Sequence, residues 1–336
     1  MARHNKYDLL EKVIRAVTEA GWNIFYLETI DEHPFRLQIY QGDESYKVRL
    51  YIWHLTHGGG PARPQNEYRI QITGITQFEQ QADEKTLILG WWKEGEVFAG
   101  FDVRKHLGKL GRSPSIQIRE EFLRQAYFNG FSPCDKGNQE IAIAFRPDFL
   151  VEYLRNLELL HSFGQSSKDF EALNIVSQTP EVNVEEIQIS DAIRKTTIVS
   201  VSKKLRDISF RKRVLTAYSF RCAVCGIQLR LVDAAHIVPV HHEKSTDETR
   251  NGLGLCALHH RAFDQALIGV GEDYSVQVNK NQISELKKEN LNGGLEDFQR
   301  GLRPLILLPP AISDRPHIEY LRIANKMRGW LPLKFS

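Results

Sequence analysis

The chain reads as an α+β protein of two domains, and three observations carry that reading. Alternating aromatic and β-branched runs fill residues 25 to 103, apolar residues recur at helical spacing on either side, and residues 222 to 264 crowd cysteines and histidines at metal-ligand spacing. The 336 residues suit two domains. A hydrophobic share of 42% and a charged share of 26% are ordinary for a globular protein, so each half can bury a core. The net charge of +2 excludes a globally basic architecture. Affinity for nucleic acid must come from local patches.

Residues 7 to 20 place Leu10, Val13, Ile14 and Val17 on one helical face, with Gly21 as a stop. Strands are predicted at Phe25 to Leu27, Phe35 to Tyr40, Tyr46 to Trp53, Tyr68 to Ile75, Thr86 to Trp92 and Glu96 to Val103. Gly42-Asp43 supplies one hairpin turn and Lys93-Glu94-Gly95 another, which makes the sheet mostly antiparallel. A helix is expected over Ile118 to Phe128, a strand over Glu140 to Phe145, and a helix from Pro147 through Leu160. This N-terminal module spans residues 1 to 163.

From 164 to 202 the composition turns to Ser, Gln, Asp, Glu and Asn, which predicts a linker with a strand at Val182 to Ile189. The second domain then spans 203 to 336. It opens on Lys203, Lys204, Arg206, Arg211, Lys212 and Arg213, with only Asp207 opposing them. Taken alone, such a run is a solvated helix face. If the metal-ligand cluster that follows belongs to a protein acting on nucleic acid, the run is better read as a phosphate-contacting surface, because neutralising backbone charge is the main source of affinity for nucleic acid.

The cluster contains two sets. Cys222, Cys225, Cys256 and His259 form C-x2-C and C-x2-H pairs, the spacing of a tetrahedral structural zinc site. His260 and Asp264 stand at i and i+4, so on a helix they share a face and can hold a divalent cation together. His236 lies in an apolar, β-favouring stretch, Leu231-Val232 and Ile237-Val238, closed by Pro239, which places it on a strand facing that helix.

This window resembles the HNH nuclease family, whose ββα-metal motif is a strand ending in His, a loop carrying Asn and a helix carrying the final His. His236, Asn251 and His260 occupy those places, and the resemblance covers residues 205 to 330. It implies a C-terminal ββα-metal domain with structural zinc. It further implies that His236 is the general base, that Asn251 fixes the imidazole and the loop, and that His260 binds the catalytic Mg²⁺ or Mn²⁺. Many members carry Asp directly before the first His as a second metal ligand, and here that place is Ala235. Asp264 is the expected replacement. Asp233 is the second choice, since it lies on the opposite face of the pleat from His236.

A purely structural knuckle would account for the zinc set but would leave His236, Asn251 and His260 idle. The favoured function is therefore a metal-dependent DNA endonuclease of restriction type, including modification-dependent forms. The alternatives are a homing or mobile-element nuclease and a non-catalytic zinc-stabilised DNA-binding protein. Double-stranded DNA is the implied partner, with residues 1 to 163 as the domain that recognises it and a homodimer left open. Only Cys134 is spare, which argues against a disulfide framework and for a cytoplasmic protein. No signal-like or membrane-spanning run is visible.

Weaker signals lie in the first module. His57-Gly58-Gly59-Gly60 resembles an oxyanion-hole loop but has no nucleophile elbow to serve, so it reads as a flexible loop. Arg104, Lys105, Lys109 and Arg112 decorate a Gly-containing loop that lacks Walker spacing but could touch phosphate. Trp53, Trp91, Trp92, Phe98 and Phe101 read as core, with a cage for a flipped base as the alternative.

Overall fold

The structure, a computed structural model, describes residues 2–29, 32–57, 64 and 66–330, and divides into two compact units, Met1–Ile208 and Ser209–Ser336. Gly58, Gly59 and Gly60 of the glycine-rich loop lie outside the described residues. No helix among the described residues is long and apolar enough to cross a membrane.

The first unit is α+β. Helix α1 (Ala2–Glu19) buries Leu10, Val13 and Val17 at successive turns. Strands β1 (Asn23–Tyr26), β2 (Phe35–Gln41), β3 (Glu44–His57), β4 (Glu67–Gln71), β5 (Lys85–Trp92), β6 (Val97–Phe101) and β7 (Ser115–Arg119) follow. Then come α2 (Glu120–Asn129), β8 (Phe131–Gly137), β9 (Glu140–Phe145), α3 (Leu150–Arg155), α4 (Leu157–Ser162) and α5 (Ser167–Gln178).

The sheet order is β1-β2-β3-β5-β6-β9-β8, with β4 pairing to both β3 and β7 as a side arm. Every pairing is antiparallel except β3 with β5, because the chain leaves the sheet to build β4 and re-enters in the same direction. Residues 115–119, expected to be partly helical, form β7 instead, because Ile116 and Ile118 point inward at period two.

Alternation along the strands builds a core on each face. Val48, Leu50 and Ile52 join α1, α3, α4 and α5 on one side, while Tyr51, Trp53 and Leu55 join β4, β7 and α2 on the other. The aromatic residues read as core are core, and this alternation divides them between the two faces, which removes the alternative of a single cage. Trp91 and Phe98 belong to the first core, and Trp53, Trp92 and Phe101 belong to the second. Gly100 must lack a side chain, since a Cβ there would meet the Tyr153 hydroxyl at 2.1 Å.

The expected linker 164–202 is a correction. It holds α5 and the start of α6 (Ala192–Ala217), and Val182 to Ile189 carries a 3₁₀ turn, Val184–Glu186, in place of a strand. Ser166 caps α5 by accepting the Asp169 N–H, and Ala172, Leu173, Val176, Ile198, Val201, Leu205 and Ile208 are buried in the first core. The domain boundary therefore falls near 208, not at 163 or 203. Polar composition concealed a helical apolar period.

The second unit contains the last turns of α6, then β10 (Val232–His236), β11 (Gly252–Cys256), α7 (Ala257–Asp264), β12 (Ile268–Val270) and β13 (Val276–Val278). Helices α8 (Lys280–Lys288), α9 (Leu295–Arg300) and α10 (Ile318–Met327) complete it. Phe210, Val214 and Tyr218 of α6 pack with Leu253, Leu255, Phe263 and Leu321 in its core.

Candidate active site and metal centre

The first cysteine knuckle is a tight turn. Gly226, at φ +85, donates its N–H to Cys222 O at 2.8 Å, and the chain behind is pinned where Leu307 donates to Ala223 O at 2.8 Å. The second pair comes from the β11–α7 junction, with Cys256 ending the strand and His259 in the first helical turn. Four ligand atoms, from Cys222, Cys225, Cys256 and His259, lie within 4.8 Å of one another. The Cys256 Sγ to His259 Nδ1 distance is 3.2 Å, Cys222 Sγ to Nδ1 is 3.5 Å, and Cys225 Sγ to Cys256 Sγ is 3.9 Å. Those are the edge lengths of a tetrahedron about a zinc ion with bonds of about 2.0–2.3 Å.

The donor chemistry agrees. Burial raises the Cys222 thiol, but its hydrogen bonds with His259 and with nearby backbone outweigh that and hold it below its ordinary value. Burial, reinforced by the neighbouring Cys222 charge, pushes Cys225 and Cys256 up. Three adjacent sulfurs cannot all be thiolates without a cation among them, and a structural zinc removes that conflict.

Beside the cysteine cluster stands a ββα unit. Strands β10 and β11 pair antiparallel with His236 opposite Gly252, and α7 packs on both strands. Gly252 is required: a Cβ there would meet Val214 Cγ2 at 2.3 Å and Phe210 Cζ at 3.0 Å. This close approach brings the Phe210 ring flat onto the His236 imidazole, with centroids 3.7 Å apart and planes at 12°. On its edge, His236 Nε2 lies 3.0 Å from Asp247 Oδ1.

Asn251 is fully buried and satisfied. Its Oδ1 accepts the Val238 N–H at 2.9 Å, and its Nδ2 donates to Thr246 O at 2.8 Å. Its backbone O accepts the Ile237 N–H at 2.8 Å. Asn251 thus ties Val238 and Ile237 to the Thr246 backbone. The imidazole bonds instead to Asp247 Oδ1, an acceptor that sequence reasoning missed because an acid in a Lys-Ser-Thr-Asp-Glu loop carries no spacing signal.

On α7, His260 Nε2 and Asp264 Oδ2 are 3.6 Å apart, the one-face relation that the i, i+4 spacing predicts. Among the described residues, the Cys₃His set alone brings three or more candidate ligand atoms that close, so His260 and Asp264 stand as a pair. Asp233 is committed elsewhere, accepting from Arg211 Nε at 2.8 Å. Ala235 is buried in the core, so a carboxylate in its place would be turned away from water.

Lys203, Lys204 and Arg206 fall in the first unit, and Arg211, Lys212 and Arg213 in the second. Lys203, Arg211, Lys212 and Arg213 are exposed, while Lys204 and Arg206 are half-buried. Arg211 is paired to Asp233, and Arg213 donates to Asp247 O at 2.5 Å.

Residues 222–271 match the family model for HNH endonuclease. The second unit carries an HNH endonuclease domain. The matched segment begins at Cys222 and ends just past β12, enclosing His236, Asn251 and His260. Outside the HNH domain, residues 46–154 match the family described as Methylase-associated X1, which the sequence reading did not identify. Among solved structures, the chain is similar to a "Modification dependent TagI restriction endonuclease" at a TM-score of 0.32 and 14% identity, over 86% of this chain and 84% of that chain. No curated protein matches.

Proposed function

We propose that the protein is a restriction-type DNA endonuclease that hydrolyses phosphodiester bonds, with the first unit choosing the DNA and the HNH domain cutting it. The observation that carries this reading is His236, held between a stacked ring and a carboxylate at the end of β10. A histidine held on one face and at one edge in a half-buried position is suited to accept a proton.

His236 takes a proton from water, and the water oxygen forms the new bond to phosphorus. The opposite P–O bond breaks, its electron pair leaves on the departing oxygen, and that oxygen takes a proton from solvent. His260 and Asp264 are the residues that would hold the catalytic ion; Mg²⁺ or Mn²⁺ there supplies charge neutralisation at the phosphate and the leaving oxygen. The zinc set stays apart from this chemistry, because its four protein ligands complete a tetrahedron and leave no open position. Lys203, Lys204, Arg206, Lys212 and Arg213 serve as phosphate contacts. Arg211 becomes available only if DNA displaces Asp233.

The finer reading is dependence on base or backbone modification, in a cytoplasmic enzyme acting on double-stranded DNA as a monomer or homodimer. It is tested by digesting genomic DNA from hosts of differing methylation and sequencing the ends. Cuts clustered at modified sites support it. Equal cutting of modified and unmodified DNA overturns modification dependence, and cutting at one long rare site indicates a homing enzyme.

A further inference from the structure

An imidazole can take a proton from water through only one of its nitrogens at a time, and its surroundings decide which. His236 Nε2 faces Asp247 Oδ1 at 3.0 Å. A carboxylate only accepts, so Nε2 carries the hydrogen and the lone pair of the neutral ring sits on Nδ1.

Asp247 is itself held from several directions. Asn251 Nδ2 donates to the preceding carbonyl, Thr246 O, at 2.8 Å, and Arg213 Nη2 donates to Asp247 O at 2.5 Å. The Tyr320 hydroxyl bridges the two neighbours, reaching Thr246 Oγ1 at 2.9 Å and Glu248 Oε2 at 3.2 Å. A loop pinned through three consecutive residues holds its carboxylate in one place, and conformational freedom that has already been lost need not be lost again during reaction.

We propose that Asp247 is a positioning residue of the nuclease reaction. It fixes His236 with Nε2 protonated and Nδ1 free to accept the proton of water, and it stabilises the imidazolium that results. Asn251 acts at one remove, by holding the Asp247 loop. The inference rests on His236 being the base, and its test separates the two claims.

The full-length, zinc-bound protein is labelled with ¹⁵N-histidine, and the His236 ring signals are identified by their absence in His236→Ala. The wild type shows the Nε2–H tautomer, and Asp247→Ala loses that preference. In parallel, Asp247→Ala and Asp247→Asn reduce the single-turnover rate on supercoiled plasmid by about 100-fold or more. KM and the metal concentration for half-maximal rate stay at wild-type values. Asp247→Ala that keeps the Nε2–H tautomer, or cuts at the wild-type rate, overturns the proposal. A variant whose rate returns at raised Mn²⁺ makes Asp247 a metal ligand and overturns it equally. If His236→Ala itself cuts normally, the base assignment fails while the ring signals still report whether Asp247 sets the tautomer.

Discussion

The Phe210 ring lies 3.7 Å from the His236 imidazole and 12° from parallel to it, so the side chain that sets the plane of the proposed base comes from α6, outside the ββα unit. Phe210 is buried, and Phe210→Ala should cost about 3–5 kcal/mol through the cavity it leaves. Phe210→Leu keeps most of the packing but not the flat surface. It should fold and hold zinc while cleaving roughly 10-fold or more slowly, because a small misplacement of a reacting group is expensive. Urea unfolding and plasmid cleavage of both variants check this.

The cysteine cluster predicts a metal content. Elemental analysis should find about one tightly held zinc per chain. Cys222→Ser or Cys256→Ser should unfold or aggregate the second unit, since so small a core depends on its metal. A zinc-free protein with an unchanged melting curve would sink the assignment.

Asp264 and Asp233 should behave oppositely. With Asp264→Ala only His260 remains of the pair, so the metal concentration for half-maximal cleavage should rise by about 10-fold or more. Activity should partly recover in raised Mn²⁺, which accepts mixed nitrogen and oxygen ligands. Asp233→Ala removes an exposed pair with Arg211 and an exposed bond from the Ala234 N–H, and should change stability by about 1 kcal/mol, with no effect on metal dependence. Cleavage rates against metal concentration decide between them.

His161 makes the first unit sensitive to acid. It is fully buried, with Nδ1 donating to Ile141 O at 3.0 Å and Nε2 accepting from the Tyr153 hydroxyl at 2.8 Å. Burial pushes its pKa from 6.5 down to about 4. Between those values the unfolded chain binds the proton that the folded chain refuses, so this residue's contribution to stability is complete above 6.5 and is lost as pH falls toward 4. Urea midpoints measured across that range should fall less steeply with acid for His161→Gln than for the wild type.

The parts legible in the sequence are those governed by local spacing. The close approach of Cys222, Cys225, Cys256 and His259, the shared face of His260 and Asp264, and the strand that carries His236 follow from turn, helix and strand periods, although that strand ends at His236 and does not run on through Val238. Long-range placement was hidden. Asp247 reaches His236 only because its loop folds back under Asn251 and Tyr320, and Phe210 reaches it only because Gly252 lets α6 approach. Polar composition around Ser167–Gln178 masked a buried helical face. The same alternation that identified the strands also divided Trp91 from Trp92, which a one-dimensional cluster of aromatics could not reveal.

The central claim is that His236 is the base of a metal-dependent DNA endonuclease, and the most direct test is cleavage of supercoiled plasmid by wild type and His236→Ala in Mg²⁺ and Mn²⁺. Plasmids from hosts of different methylation serve as substrates, with zinc content and DNA binding measured on the same preparations. The wild type should cut at least one of these DNAs, and His236→Ala should lose about 10²- to 10⁴-fold in rate while keeping its zinc and its affinity for DNA. His236→Ala cutting at the wild-type rate, or a zinc-loaded wild type inert on every substrate, would contradict it.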